Sequence, residues 1–368
     1  MAVVGKASSR LQGVQALRGL AVLMVMSVHL FEVELKYTNG PRVFDRWAHF
    51  NMFGVDIFLV ISGFVLTYLA LGHFQDRHYW RSFVYARITR VYPVYILYTL
   101  ALVPIFLLKP TLFNASEGHQ VNLITSLLLL PDVTLPLIPV AWTLHHEIYF
   151  YLVFALMLLW PQARLGRSML IWLVVTVALI AWGAMSPREE QGGLQRVLVN
   201  PINLEFLLGM VAAVLIKGGE RRGGWQAIVT GLVWLVLGHL FYLDLYGVHW
   251  VDIYWRVALL GVPAVLIVYG VVVLELRGQW VLAPSLTWLG DAAYSVYLTH
   301  LLVMSLVGRI WSALGLSGWP AHIVFLLLVM GVALLVGKLA YDIVEKPMLR
   351  ALRRWEPRRA ALPSASAG

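Results

Sequence analysis

Ten apolar segments, each long enough to cross a lipid bilayer when tilt is allowed, follow one another along this 368-residue chain. They cover approximately residues 14–35, 52–72, 91–109, 142–160, 169–187, 202–217, 225–242, 256–276, 291–312 and 322–343. Apolar residues make up 60% of the sequence, charged residues only 13%, and the mean hydropathy is +0.77, which excludes a soluble domain of this length. We therefore predict an all-α, polytopic integral membrane protein with about ten transmembrane helices.

The distribution of basic residues predicts how these helices are oriented. An even number of spans places both termini on one side, and most of the 28 Lys and Arg residues flank the segments on that side. The positive-inside rule then predicts cytoplasmic termini. A shorter apolar run, Val121 to Leu130, ends at Pro131 and is interpreted as an interfacial or re-entrant piece, because an eleventh span would move the basic tail outside. The net charge of +9 is accordingly interpreted as an orientation signal, and nucleic acid is not expected as a partner.

The domain organisation is predicted to be simple. Residues 1–350 are expected to form one membrane-embedded domain, followed by a tail over 351–368 that is first basic and then disordered. The first apolar segment contains Arg18 and lacks a cleavage signature, so it is expected to be a retained anchor. The sequence has no cysteine, which excludes disulfides, thiolate metal sites and a cysteine nucleophile.

The first segment carries two polar residues that are costly in lipid, Arg18 and His29. A step of eleven residues at about 100° each returns almost to the starting direction, so both side chains share one helical face about 16 Å apart. A cation near one membrane face and a deeper imidazole on the same stripe suit a long anionic ligand that delivers a reactive end to the histidine.

A second pair of arginines, Arg87 and Arg90, precedes the third segment at a spacing of three, which places them on one face of a helix. Arginine clusters bind phosphates through planar, bidentate contacts. The alternative is that these arginines only anchor the helix end to lipid headgroups.

Toward the outer side lie three further polar residues, His29 of the first segment, Asp56 of the second and Glu147 of the fourth. Because the first two segments form a hairpin, Asp56 could accept a hydrogen bond from Nδ1 of His29 and leave Nε2 as a base. The alternative is that the two side chains merely satisfy each other in packing.

Further polar residues lie beside this group. His145 and His146 precede Glu147, but adjacent helical residues point about 100° apart and rarely chelate one ion, so no metal site is predicted. Ser62, Tyr294 and Tyr297 are candidates for a cavity wall and for oxyanion donors. His300 is a further wall candidate, although a hydrogen-bonded packing histidine fits equally well.

Taken in order, these residues resemble the membrane acyltransferase-3 family, bacterial O-acyltransferases that modify surface polysaccharides. The matching motifs are Leu17-Arg-Gly-Leu-Ala21 with His29, Gly54-Val-Asp-Ile-Phe-Leu-Val-Ile-Ser-Gly-Phe64, Arg87-Ile-Thr-Arg90 with Tyr92-Pro93, Trp142-Thr-Leu144 with Glu147 and Phe150-Tyr151, Leu289-Gly290 with Tyr294-Ser295 and Tyr297-Leu298, and Glu345-Lys-Pro347. The opening motif and Leu204-Glu-Phe-Leu-Leu-Gly-Met210 resemble the exopolysaccharide-production branch. The pair His145-His146 departs from the family, which more often has small or apolar residues there.

The resemblance implies transfer of an acyl group, usually acetyl, from cytoplasmic acyl-CoA to a sugar hydroxyl of a surface polysaccharide or its lipid-linked precursor. It implies a multi-pass protein of the bacterial inner membrane, with acetyl-CoA as co-substrate and a carbohydrate acceptor; the oligomeric state is open. Arg18, Arg87 and Arg90 are then expected to bind the CoA phosphates. His29, oriented by Asp56, is expected to act as general base or to form an acyl-imidazole, and Glu147 is expected to be the third catalytic residue.

The rival hypothesis is a secondary transporter or flippase for a polysaccharide precursor, with His29, Asp56 and Glu147 as a proton relay. The enzyme hypothesis requires a continuous passage along which a thioester can travel from the arginines to His29.

Overall fold

The structure is a computed structural model that describes residues 11–38, 52–114, 118–246, 252–279 and 283–357, except for the side chains of 243–246 and 284. Within these ranges the chain folds into helices and loops, without strands. The α-helices are α1 (Gln12–Tyr37), α2 (Phe53–Ala70), α3 (Arg77–Leu108), α4 (Leu123–Leu128), α5 (Trp142–Leu158), α6 (Leu165–Gly183), α7 (Gly193–Leu198), α8 (Asn203–Lys217), α9 (Gly224–Tyr246), α10 (Ile253–Arg256), α11 (Val262–Leu276), α12 (Pro284–Leu314), α13 (Trp319–Ala340) and α14 (Lys346–Leu352). Five-residue π-helical turns join α10 to α11 and α13 to α14.

The all-helical prediction is confirmed, with one difference in the number of spans. Nine helices of the described ranges are long and apolar enough to cross a membrane. The predicted span at 142–160 is not among these nine. It folds as α5, which has 17 residues and is therefore about 26 Å long, somewhat less than a bilayer core of about 30 Å. The loop before α5 is packed inside the protein, so the helix begins within the bundle and its N-terminal end is short of the membrane surface.

That loop contains α4, whose six residues are too few to cross a bilayer, as predicted for the apolar run at 121–130. Asn122 caps the helix by accepting hydrogen bonds from the N–H groups of Ile124 and Thr125, and Leu129 ends it with a left-handed φ of 51°. Tyr95, midway along α3, donates a hydrogen bond of 2.6 Å to the carbonyl oxygen of Ser126. The short helix is thus fixed against the middle of a long one.

Helix α1 is central to the bundle and packs along its length against α12. Gly290 lies so close to α1 that an added Cβ would overlap the carbonyl oxygen of Gln15, and Gly308 lies against the ring of Tyr37. Because later residues of α12 meet later residues of α1, the two helices run parallel. Small residues at such contacts are the usual means by which membrane helices approach closely.

The two ends of the bundle are defined by contacts of α1. At its start, the N–H groups of Gln12 and Gly13 donate to the carboxylate of Glu275 at the end of α11, at 2.5 and 2.8 Å. Toward its other end, Glu34 accepts a hydrogen bond of 2.6 Å from His322, at the start of α13. We call these the near end and the far end. Helix α13 therefore ends on the side where α1 begins, and the basic residues predict that this near end faces the cytoplasm.

Candidate active site

A cavity of about 160 Å³ lies between α1, α2, α3, α5 and α12. We call it the arginine cavity. Seven of the ten predicted site residues line it, and they are Arg18, Ser62, Arg87, Arg90, Glu147, Tyr294 and Tyr297. Helices α1, α3 and α5 thus bring the predicted cations together with one carboxylate.

Arg90 is held in place by a buried acid. Its Nη1 donates to Oε1 of Glu345 at 2.6 Å, and its guanidinium lies 5.3 Å from the centre of the Tyr294 ring. Glu345 ends the π-helical turn Tyr341–Glu345 and also accepts hydrogen bonds from the backbone N–H and the hydroxyl of Ser295. π-helical turns often occur at functional sites, and this one aims a carboxylate at α3.

Arg87 and Arg18 are less fully engaged. The guanidinium of Arg87 lies 5.7 Å from the ring of Tyr151, and its buried Nε has no hydrogen-bond partner among the described residues. Arg18 has Arg90 and Glu147 as electrostatic neighbours. A buried donor without a partner costs about 1–3 kcal/mol. Such a donor, beside further cations, indicates room for an anionic ligand.

Glu147 lies in the same cavity and is fixed by two hydroxyls. Tyr151, one turn further along α5, donates a short hydrogen bond to its Oε1, and Ser62 of α2 donates a longer one of 3.4 Å. Glu147 and Glu345 together offset part of the charge of the three arginines. The cavity retains an excess positive charge.

The two tyrosines of the wall use their hydroxyls for structure. Tyr294 donates to the carbonyl oxygen of Val91 at 2.8 Å. Tyr297 lies 2.8 Å from both the hydroxyl of Thr143 and the carbonyl oxygen of Val140. Both rings line the cavity as predicted, but neither hydroxyl is a free oxyanion donor in this arrangement.

His29 does not line the arginine cavity. Its Nδ1 lies 2.9 Å from Oε2 of Glu32, one turn away, and its ring lies 5.1 Å from that of His300. His300 in turn contacts the ring of Tyr297 at 5.9 Å, so it lies behind the cavity wall and is not part of it. The expected continuous passage from Arg18 to His29 is therefore interrupted by the rings of Tyr297 and His300. About a fifth of the His29 side chain remains exposed.

The predicted pairing of Asp56 with His29 is wrong. Gly54 packs against Ala21 and Met24, so α2 begins beside the middle of α1 and Asp56 lies nearer to Arg18 than to the level of His29. Asp56 is fully buried and accepts two hydrogen bonds of 2.9 Å from Arg256. The hairpin is unequal in length because α1 extends well beyond the start of α2.

Arg256 and Glu205 are polar residues of this region that the sequence analysis did not select. Arg256 ends α10, and the buried Glu205 of α8 is an electrostatic neighbour of both Arg256 and Asp56. The available signal was the position of Arg256 at the edge of an apolar segment, because an arginine in lipid requires a partner. Among the described residues no group of three or more His, Asp or Glu side chains could hold a metal ion.

Comparison with known proteins identifies the family of this chain. The sequence profile of the acyltransferase-3 family, described as an acyltransferase domain, matches residues 11–338. The chain belongs to the acyltransferase-3 family. It is a multi-pass membrane acyltransferase, as the ordered motifs predicted.

Three relatives of this family member span most of its length. It is 32% identical to the exopolysaccharide production protein ExoZ of Rhizobium meliloti, over 81% of this chain and 89% of the relative. It is 26% identical to the acyltransferase MdmB of Streptomyces mycarofaciens, over 95% and 94%. It is 25% identical to the putative membrane-bound transacylase BcsY of Komagataeibacter xylinus, over 92% and 83%. No solved structure matches the chain.

Proposed function

We propose that the protein transfers an acyl group, acetyl in the simplest case, from acyl-CoA to a sugar hydroxyl, at the inner membrane of a bacterium. The donor enters from the near, cytoplasmic end, and the acceptor is presented at the far end. The observation that carries this proposal is the convergence of Arg18, Arg87 and Arg90 on one cavity, with a donor atom of Arg87 left unpartnered.

In this proposal the arginine cavity binds the donor. Arg18 and Arg87 contact the phosphates, because a guanidinium presents a rigid fork of donors that matches phosphate oxygens. Arg90 adds charge but is held by Glu345, so it orients the site more than it reaches for the ligand. The pantetheine arm then extends toward Tyr297, at the side of the cavity nearer the far end.

The transfer itself is assigned to His29. Glu32 takes the role expected of Asp56, since it accepts a hydrogen bond from Nδ1 of His29 and leaves Nε2 as the base. The acceptor oxygen attacks the thioester carbon, a C–O bond forms, and the C–S bond breaks. The hydroxyl proton passes to His29 and then to the thiolate of CoA. Formation of an acyl-imidazole on His29 uses the same residue in two steps and remains an alternative.

For the thioester to reach His29, Tyr297 and His300 have to turn aside. Tyr297 closes the cavity, and His300 fills the space between Tyr297 and His29. Acyl-CoA binding is proposed to displace these rings, so that the thioester reaches His29 only after acyl-CoA has bound in the arginine cavity.

The transporter hypothesis is less well supported by the geometry. A proton relay requires neighbouring titratable groups, but Asp56 is paired with Arg256 while Glu147 is hydrogen-bonded to Tyr151 and Ser62. His29 belongs to neither group.

The experiment that tests the proposal measures acetyl-CoA binding and acetyl transfer by the purified protein. We expect Arg87→Ala to weaken acetyl-CoA binding by about ten- to a hundredfold, since a hydrogen bond to a charged group contributes about 1.5–3 kcal/mol. The matched control is Arg77→Ala, because Arg77 is exposed at the start of α3 and does not line the cavity. Equal affinities of the two variants, or no acetyl-CoA binding by the unaltered protein, would refute the proposal.

A further inference from the structure

A second cavity, of about 370 Å³, lies at the far end and shares no lining residue with the arginine cavity. It is enclosed by the loop 132–136, the start of α5, α7, the start of α8 and α10. We call it the far-end cavity. Its polar and aromatic lining consists of Asp132, Thr134, Trp142, His145, His146, Arg188, Arg196, Asn200 and Arg256.

The first turns of α5 separate the two cavities. Thr143, Leu144 and Glu147 line the arginine cavity, whereas Trp142 and His145 line the far-end cavity, as does His146. The two cavities also approach each other at the Asp56–Arg256 pair. Arg256 lines the far-end cavity and pairs with Asp56, which is next in sequence to Val55 of the arginine cavity.

His145 is the residue of the far-end cavity that most strongly indicates a ligand. The residue is only 8% exposed, yet its Nε2 has no hydrogen-bond partner among the described residues. Leaving a buried polar atom unsatisfied costs about 1–3 kcal/mol. The unpartnered Nε2 at the wall of this cavity therefore indicates a ligand that supplies the missing hydrogen bond.

His146 beside it is fixed by two amides. Its Nδ1 lies 2.9 Å from Oδ1 of Asn203, and its Nε2 lies 3.5 Å from Nδ2 of Asn200. Asn203, the first residue of α8, is itself tied to α7 because its Nδ2 donates a hydrogen bond of 2.7 Å to the carbonyl oxygen of Val197. The edge of Trp142 packs against the His146 ring at 5.8 Å, which fixes the indole at the cavity wall.

Asp132 adds a carboxylate at the rim. Partial burial raises the pKa of Asp132, but hydrogen bonds from the Thr125 hydroxyl and from the N–H of Val133 outweigh it and lower the pKa below its usual value. The carboxylate is therefore ionised at neutral pH and can only accept hydrogen bonds.

These groups together suit a carbohydrate. Sugar hydroxyls both donate and accept hydrogen bonds, and an imidazole, an amide and a carboxylate can all form hydrogen bonds with them. The apolar face of a sugar ring packs on an indole. A lipid chain would instead need an apolar lining, and here half of the lining residues carry charged or polar side chains.

We infer that the far-end cavity is the binding site for the acceptor glycan, with His145 contacting a sugar hydroxyl and Trp142 packing on a sugar ring. This inference rests on the proposed function, which it completes by giving the acceptor its own site. Tyr297 lies between the two sites, since it lines the arginine cavity and has Arg256 of the far-end cavity as an electrostatic neighbour, while its ring contacts His300 beside His29. Displacement of Tyr297 brings the acceptor hydroxyl, the thioester and His29 together.

The test uses extracellular polysaccharide of the source strain, freed of its ester groups with mild alkali, as the acceptor. Three quantities are measured on purified protein: direct binding of this polysaccharide, the KM for it with labelled acetyl-CoA, and acetyl-CoA affinity without any acceptor. We expect His145→Leu and Trp142→Ala to weaken polysaccharide binding and to raise its KM by about five- to tenfold, the loss of one hydrogen bond or ring contact. Acetyl-CoA affinity should stay unchanged.

The matched control is His73→Ala, because His73 lies on the exposed loop after α2 and lines neither cavity. His145→Leu is expected to fold normally, since Nε2 of His145 has no partner in the fold to lose. Unaltered polysaccharide binding in both variants would overturn the inference, as would an equal loss of acetyl-CoA affinity. If the unaltered protein binds and cleaves acetyl-CoA but does not bind the polysaccharide, the acceptor site is refuted while the donor function stands. If it binds the polysaccharide through His145 and Trp142 but does not bind acetyl-CoA, the donor function is refuted while the glycan site stands.

Discussion

Arg256 donates two hydrogen bonds of 2.9 Å to the carboxylate of Asp56, a residue 200 positions earlier in the chain. The pair joins α10 to α2 at the partition between the two cavities. Both side chains are buried, so neither charge can be left alone without a large penalty.

Breaking this pair should destabilise the protein strongly. We expect Arg256→Met alone to cost about 3–5 kcal/mol, because it leaves a buried carboxylate without its cation. The double substitution Asp56→Leu with Arg256→Met removes both charges and should recover most of that loss. Thermal unfolding of the purified protein in detergent measures both effects. A double variant as unstable as the single one would mean that the pair is not an isolated ion pair.

Replacing His29 should remove activity without removing the fold. We expect His29→Ala to lower kcat by about 10²–10⁴-fold, the usual contribution of a general base, while acetyl-CoA affinity stays the same. Glu32→Gln should cause a smaller loss of kcat, because the amide can still orient the ring. Steady-state kinetics and direct acetyl-CoA binding, measured side by side, check this. Full activity of His29→Ala in a folded protein would exclude the assigned role.

The close approach of α1 and α12 predicts sensitivity to one added methyl group. In Gly290→Ala the new Cβ would meet the backbone of Gln15, so the two helices must separate, at a cost of about 1–3 kcal/mol. Gly331→Ala on α13 is the control, since nothing lies within 4 Å of its Cβ position and the substitution favours the helix. The yield of folded protein and its thermal midpoint compare the two. Equal stability of the two variants would contradict the packing described.

The cysteine-free sequence allows the orientation to be tested with single cysteines. Thr134→Cys lies in the far-end cavity and should react with a membrane-impermeant maleimide added to intact spheroplasts. Arg221→Cys, in the exposed loop between α8 and α9 at the near end, should react only after the membrane is permeabilised. The opposite labelling pattern would place the near end outside the cell.

The apolar segments and the cavity-lining residues could be predicted from the sequence because each depends on local information. Long apolar runs must become helices in lipid, and charged residues within them mark the interior. Arg18 and Glu147 were found in this way, Arg87 and Arg90 by their spacing of three just before an apolar run, and all four do meet in one cavity.

What the sequence did not reveal is how the helices are offset along their axes. The positions of Asp56 and His29 suggested a pair. However, α2 starts beside Met24, so His29 lies further along α1, nearer the far end than any residue of α2. The partner of Asp56 came instead from α10, and no periodicity within one segment indicates a contact between residues 200 positions apart. Such contacts depend on interlocking side chains of several helices at once.

The separation of the two cavities by α5 also bears on how the cell keeps its membrane potential. An enzyme that takes one substrate from the cytoplasm and the other from outside would short-circuit the proton gradient if the two chambers formed a single water-filled channel. In the described part of the chain, the first turns of α5 and the Asp56–Arg256 ion pair stand between the chambers. In the proposed mechanism, the acyl group would therefore pass from one chamber to the other without a continuous aqueous channel for ions.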